Sequence, residues 1–103
     1  MHNHGRDRKF GKWLEQAQHA QAAGDAETAR RLCGKILRQN PAHPEANHLL
    51  GLLFAAQQDY AAALTHLERA AALAPASAEI QNNLGNVYRA RADLDRAEQC
   101  YRR

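Results

Sequence analysis

The chain has 103 residues, 45% of them hydrophobic and 24% charged, and alanine supplies so much of the apolar fraction that a single large core of bulky side chains is excluded. Thr28, Ile36, Thr65, Ile80 and Val87 are all of its β-branched residues, and no stretch reaches the ~18 apolar residues of a membrane span, so neither a sheet nor a spanning helix is expected. The net charge of +3 resides in the first twelve residues, where Arg6, Arg8, Lys9 and Lys12 face Asp7 alone; the remainder is neutral, which argues against a nucleic-acid-binding face.

Residues 1–9 read as a flexible basic leader without the apolar core of a secretory signal. The next stretch, Phe10 to Ala23, predicts a helix stopped by Gly24; Asp25 caps a second helix from Ala26 to Gln39, and Pro41 forbids its continuation. Pro44 in a first turn opens a helix to about Gln57, Asp59 caps Tyr60 to Leu73, and Pro75 ends it. Ser77 caps a helix from Ala78 to about Arg91, and Asp93 caps the last one from Leu94 onward. That helix reaches Arg103 about two turns before the spacing would end it. The expectation is an all-α domain over 10–103, built as helical hairpins 10–43, 44–77 and a truncated 78–103.

A fixed step connects the hairpins. Gly51 recurs as Gly85, Leu50 as Leu84, Pro41 as Pro75, and the series Asp25, Asp59, Asp93 and Ala29, Ala63, Ala97 keep the same 34-residue spacing. Such a period marks a solenoid, in which each unit presents the same small and turn-forming residues to its neighbours. Glycine in mid-helix costs about 1 kcal/mol relative to alanine, so Gly51 and Gly85 imply a helix approaching too closely for a side chain. Ala63 and Ala97 are expected opposite them, with Phe54, Tyr60, Leu67, Tyr88 and Tyr101 filling the surrounding space and Leu53 and Val87 sealing one unit against the next.

These residues resemble the tetratricopeptide repeat family. The second unit shows Leu50, Gly51, Phe54, Tyr60, Ala63, Leu67, Ala70 and Pro75 of its pattern, and the third shows Leu84, Gly85, Tyr88, Ala97 and Tyr101. The first shows Trp13, Gly24, Ala29 and Pro41, with Gln16, Ala17 and Ala20 departing from it. The resemblance implies an α–α superhelix whose concave groove, lined by the first helix of each pair, holds a protein or peptide. Across the exposed faces this gives Leu14, Gln18 and Gln21, then His48, Leu49, Leu52 and Ala55, then Asn82, Asn83, Asn86 and Arg89, with Gln18, His48, Leu52, Asn82, Asn83, Asn86 and Arg89 as the partner-binding set. The run from Asn82 to Asn86 is similar to the repeats of O-linked N-acetylglucosamine transferases, which line their superhelix with an asparagine ladder. Only Asn83 matches, since Leu49 and Glu15 stand at the other rungs. The carboxylate clamp of chaperone-binding members is missing at Leu14 and Gln18.

Chemistry of other kinds is not indicated. His2 and His4 lie in the leader, His43 in a turn, and His19, His48 and His66 in three different helices without the same-face spacing of a helical zinc site. No glycine-rich phosphate loop is present, Ser77 is the sole serine, and Cys33 and Cys100 read as buried thiols suited to a reducing, cytoplasmic compartment. No catalytic residue, metal or cofactor is expected. The leading expectation is an interaction scaffold, an amino-terminal part of a longer repeat protein; the alternatives are the substrate-recruiting arm of a larger enzyme such as a glycosyltransferase, and a self-association module. For the last, Ile80, Leu84, Val87, Leu94 and Tyr101 belong to a repeat with no successor and are expected to drive homo-oligomerisation.

Overall fold

A computed structural model describes residues 4–102. These form six α-helices and no strand: α1 (His4–Ala22), α2 (Ala26–Gln39), α3 (Pro44–Ala56), α4 (Tyr60–Leu73), α5 (Ala78–Ala90) and α6 (Leu94–Tyr101). The caps fix where the helices begin. Asp25, Asp59 and Asp93 accept the backbone N–H of Thr28, Ala62 and Arg96 at 3.1, 3.2 and 3.3 Å, satisfying donors that the first turns of α2, α4 and α6 leave unpaired. Ser77 Oγ does the same for Ile80 of α5. At α3 the cap is an imidazole: His43 Nδ1 accepts from the Ala46 N–H at 3.1 Å, so its 3.4 Å approach to the Glu45 carboxylate is not an ion pair.

Gly24, Gln58 and Ala92, again 34 residues apart, all have positive φ, at 81°, 63° and 63°. Each makes the left-handed turn that lets the next aspartate cap the returning helix. Helix α1 starts at His4 rather than Phe10, so residues 4–9 of the expected leader are helical, while residues 1–3 lie outside the described ones. Phe10 is the anchor for that extension. It is buried with Ile36 and Ala46 and meets the His43 ring edge-on at 5.9 Å, and no proline upstream stops the helix.

The core runs along the stack instead of gathering at one centre. Phe10, Ile36 and Ala46 form one cluster; Ala17, Ala29, Leu32, Cys33, Leu49, Leu50 and Leu53 form a second; and the third joins α4, α5 and α6. Phe54 packs against both of the larger clusters. The close helix contacts are present: Gly51 meets the expected Ala63 through its carbonyl and also Leu67 one turn further along, whereas Gly85 meets Tyr101, one turn beyond Ala97. A Cβ on Gly51 would lie 2.6 Å from Leu67 Cγ and 3.2 Å from the Ala63 carbonyl oxygen, and one on Gly85 would lie 2.7 Å from Tyr101 Cε1. Helical side chains lean toward the N-terminus, so a given spot is covered by a residue lying further on in the chain.

Two outcomes follow from this geometry. Gly51→Ala should lower stability in urea by ~1–3 kcal/mol, because Leu67 Cγ and the Ala63 backbone cannot both move, whereas Gly85→Ala should be near neutral because Tyr101, on the last turn of α6, swings away. Equal losses at the two sites would contradict it. Ala92→Gly should raise the unfolding free energy by about 0.5–1 kcal/mol by relieving the left-handed backbone, and a lower melting midpoint would show that the turn carries no such strain.

Candidate functional site: the inner wall

The curvature of the stack is read from which helices meet across units. Helix α3 approaches both α1 and α5, while α2 and α4 do not approach each other, nor do α4 and α6. The first helices therefore converge on the inside and the second helices splay on the outside, making α1, α3 and α5 an inner wall.

Of the expected partner-binding set, Gln18, Asn82, Asn86 and Arg89 are exposed on this wall, and His48, Leu52 and Asn83 are half-buried in it. Leu14 and Ala55 are likewise half-buried and Gln21 is exposed. Leu49 is a correction: it is buried with Leu32 and Leu53 and is part of the core, because it turns toward α2 and not toward the groove. The structure joins His48 and Asn83, which lie 35 residues apart, through a 2.8 Å hydrogen bond from Asn83 Nδ2 to His48 Nε2. For the amide to donate, Nε2 must carry no proton, which puts the ring proton on Nδ1. Asn86 Oδ1 accepts from the Tyr101 hydroxyl at 2.6 Å, tying α6 across Gly85 to the same wall. Gln18, Asn82 and Arg89 make no hydrogen bond or ion pair among the described residues and remain available to a ligand.

The expected self-association surface is largely absent. Ile80, Leu84 and Val87 are buried in the third cluster, because this face of α5 packs on Leu64, Leu67 and Ala71 of α4 and not on the open end. Only Leu94 and Tyr101 of that set are exposed, at 64% and 43%. At the position where α4 docks α5 with Leu64, α6 carries Glu98, paired with Arg102 at 2.5 Å, a polar outer face.

The remaining chemistry is structural. Cys33 is fully buried and its thiol is pushed up to about 11 by burial, which makes it inert, and Cys100 is buried in a different cluster. The Tyr88 hydroxyl donates to Glu68 Oε2 at 2.7 Å, and burial with that bond pushes its pKa up to about 12. Among the described residues, no group of three or more His, Cys, Asp or Glu side chains is placed to hold a metal ion, and no helix is long and apolar enough to cross a membrane. Two buried polar residues went unnoticed in the sequence. Asn47 and Gln81 occupy the places that Trp13 holds in the first unit, a 34-residue series that marks both as core positions.

Burial holds both His48 and His66 below the ordinary imidazole value of 6.5, with Glu79 and Glu45 opposing the shift at His48 and Arg69 adding to it at His66. Below about 6.5 the unfolded chain then binds more protons than the folded one. Stability should be fully present above that pH and fall as pH drops through it. Urea midpoints at about pH 8 and about pH 5 should differ in that direction, and His48→Gln should narrow the gap; an unchanged gap would remove His48 as a contributor.

Comparison with known proteins agrees with this architecture. A family model described as TPR repeat matches residues 51–91. No curated protein sequence matches the chain. Among solved structures, a variant of the Thermobaculum terrenum O-GlcNAc transferase superposes with a TM-score of 0.89 at 37% identity, covering 92% of this chain and 18% of its own. The protein MamA superposes at 0.84 with 25% identity, covering 90% of this chain and 54% of its own. Pseudomonas aeruginosa PilF superposes at 0.86 with 22% identity over 93% of this chain and 43% of its own, a likeness of fold alone. The chain thus spans 18% to 54% of the length of these three proteins. Residues 51–91 therefore carry the tetratricopeptide repeat, and the 34-residue hairpins, the glycine-mediated helix contacts and the converging first helices continue the same helical solenoid through the described residues.

Proposed function

We propose that the chain is a protein-interaction module whose inner wall holds a polypeptide partner in extended form. The observation that carries this reading is the set of uncommitted polar side chains, Gln18, Asn82 and Arg89, with the free Nδ2 of Asn86, on a wall whose packing does not need them. An amide both donates and accepts, so it can bind a peptide backbone whatever side chains that peptide bears. Of the five residues expected to drive self-association only Leu94 and Tyr101 are exposed, and two side chains fall well short of the ~800 Å² per partner of a stable interface.

A second reading, favoured by the 37% identity to the O-GlcNAc transferase, is that the repeats recruit polypeptide substrate for a catalytic domain. Its asparagine ladder is interrupted here: Leu49 is buried and the Asn83 amide is already bonded to His48.

Selection of a displayed random-peptide library on the chain tests both. Binders are expected, and replacing Gln18, Asn82, Asn86 and Arg89 by alanine should weaken them at least about tenfold, ~1.4 kcal/mol, with the melting temperature lowered only by the loss of the exposed Asn86–Tyr101 bond. Unrelated selected sequences would favour the recruiting arm and a single consensus a dedicated adaptor. Undiminished affinity in the fourfold variant would remove the inner wall as the site.

A further inference from the structure

A shift of 34 residues maps the junction between the first and second hairpins onto that between the second and third, and among their differences three facing residues change together. At the first junction Asn47 is fully buried, and its Nδ2 donates to the carbonyls of Pro41 and His43, both at 3.0 Å. Its Oδ1 is then left to accept from His66 Nδ1 at 3.2 Å, which fixes the proton on that nitrogen. The His66 ring lies parallel to Phe54, with centroids 5.7 Å apart and planes 11° apart. The counterparts of Asn47, Phe54 and His66 are Gln81, Tyr88 and Cys100. Cysteine has no ring, so α6 supplies no counterpart of the His66 imidazole beside Gln81 and Tyr88.

In its place is a cleft of about 540 Å³, lined by Gln81, Leu84, Tyr88 and Cys100 with Glu68 and Arg96 at its sides. Gln81 is 4% exposed, yet its side chain makes no hydrogen bond among the described residues. No fully enclosed side-chain nitrogen or oxygen among the described residues lacks a partner, so the Gln81 amide reaches solvent only through the space that it lines. This cleft is formed by the face of α5 that carries Gln81, Leu84 and Tyr88, not the face that carries Asn82, Asn86 and Arg89 on the inner wall.

We propose that this cleft binds a planar nitrogen heterocycle, hydrogen-bonded at its edge to Gln81 and lying against the Tyr88 ring as His66 lies against Phe54. The amide offers a donor and an acceptor side by side, the complement of a ring edge bearing N–H and unprotonated nitrogen. Glu68 and Arg96 offset each other in charge, so the walls select for shape and edge chemistry instead of net charge. Arg96 is exposed, pairs with Asp93 at 3.6 Å and sits 5.8 Å from the Tyr88 ring centroid, where the entering ring replaces it. The volume lies within the ~300–1,000 Å³ of small-ligand sites, enough for a fused purine-sized ring or for the imidazole of a partner's histidine with part of its backbone.

The test follows the side-chain amide resonances of Gln81 and the backbone amide of Tyr88 by NMR while the chain is titrated with imidazole, adenine, the peptide Gly-His-Gly and the control peptide Gly-Phe-Gly. Saturable shifts at both residues are expected from at least one nitrogen heterocycle and none from the phenylalanine peptide. Gln81→Leu should abolish the shift that remains readable, that of the Tyr88 amide. Cys100→His should abolish both shifts by supplying the ring from within, and should raise the melting midpoint; Arg96→Ala should tighten binding severalfold. Saturation by adenine but not by the histidine peptide assigns a small molecule, and the reverse assigns a partner's histidine. The proposal is overturned if no heterocycle shifts Gln81, if the phenylalanine peptide shifts it equally, or if the Tyr88 shift survives in either Gln81→Leu or Cys100→His.

Discussion

The contact on which the rest depends is the one over Gly51, where the Leu67 side chain and the Ala63 carbonyl come too near α3 for any Cβ. A helical hairpin of this size cannot bury its apolar stripe alone, and closing α3 on α4 to that distance creates a flat unit with two faces to offer its neighbours. One face receives α2 and the other receives α5. Because the first helices also touch across units and the second helices do not, the stack bends, and the bend gives an inner wall on which polar side chains such as Asn82 and Arg89 have no packing duty.

Features that depend only on neighbouring residues were legible in the sequence. The aspartate caps at 25, 59 and 93, the proline stops and the helix limits are local chemistry, and α2 and α4 match the expected spans residue for residue. The imidazole cap at His43 was not, because an unprotonated Nδ1 standing in for a carboxylate leaves no compositional mark. The left-handed turns show as Gly24 once and are then hidden by Gln58 and Ala92, which adopt the same backbone in spite of their Cβ.

Errors arose where a residue's direction mattered. Ala63 does lie against Gly51, through its carbonyl oxygen and beside Leu67, whereas Ala97 stands one turn away from Tyr101, whose ring covers Gly85. Ile80, Leu84 and Val87 are as apolar as an interface requires, and only packing shows that α4 already covers them. Asn47 and Gln81 were the reverse case: polar letters at a position where the first unit carries tryptophan, so that burial could be inferred only from the period. On the inner wall Gln18, Asn82 and Asn86 are exposed, whereas Asn83 is half-buried in a bond to His48 that depends on a distance between units that no spacing encodes.

If neighbour-only packing around the Gly51 contact governs the molecule, stability must be graded along it, highest where a hairpin is buttressed on both sides. Native-state amide hydrogen exchange reads this directly, residue by residue. The account predicts that the slowest amides lie in α3 and α4, near Leu50, Leu53, Leu64 and Leu67, with exchange progressively faster toward α1 and α6. Uniform protection across all six helices, or a maximum in α1 or α6, would contradict it.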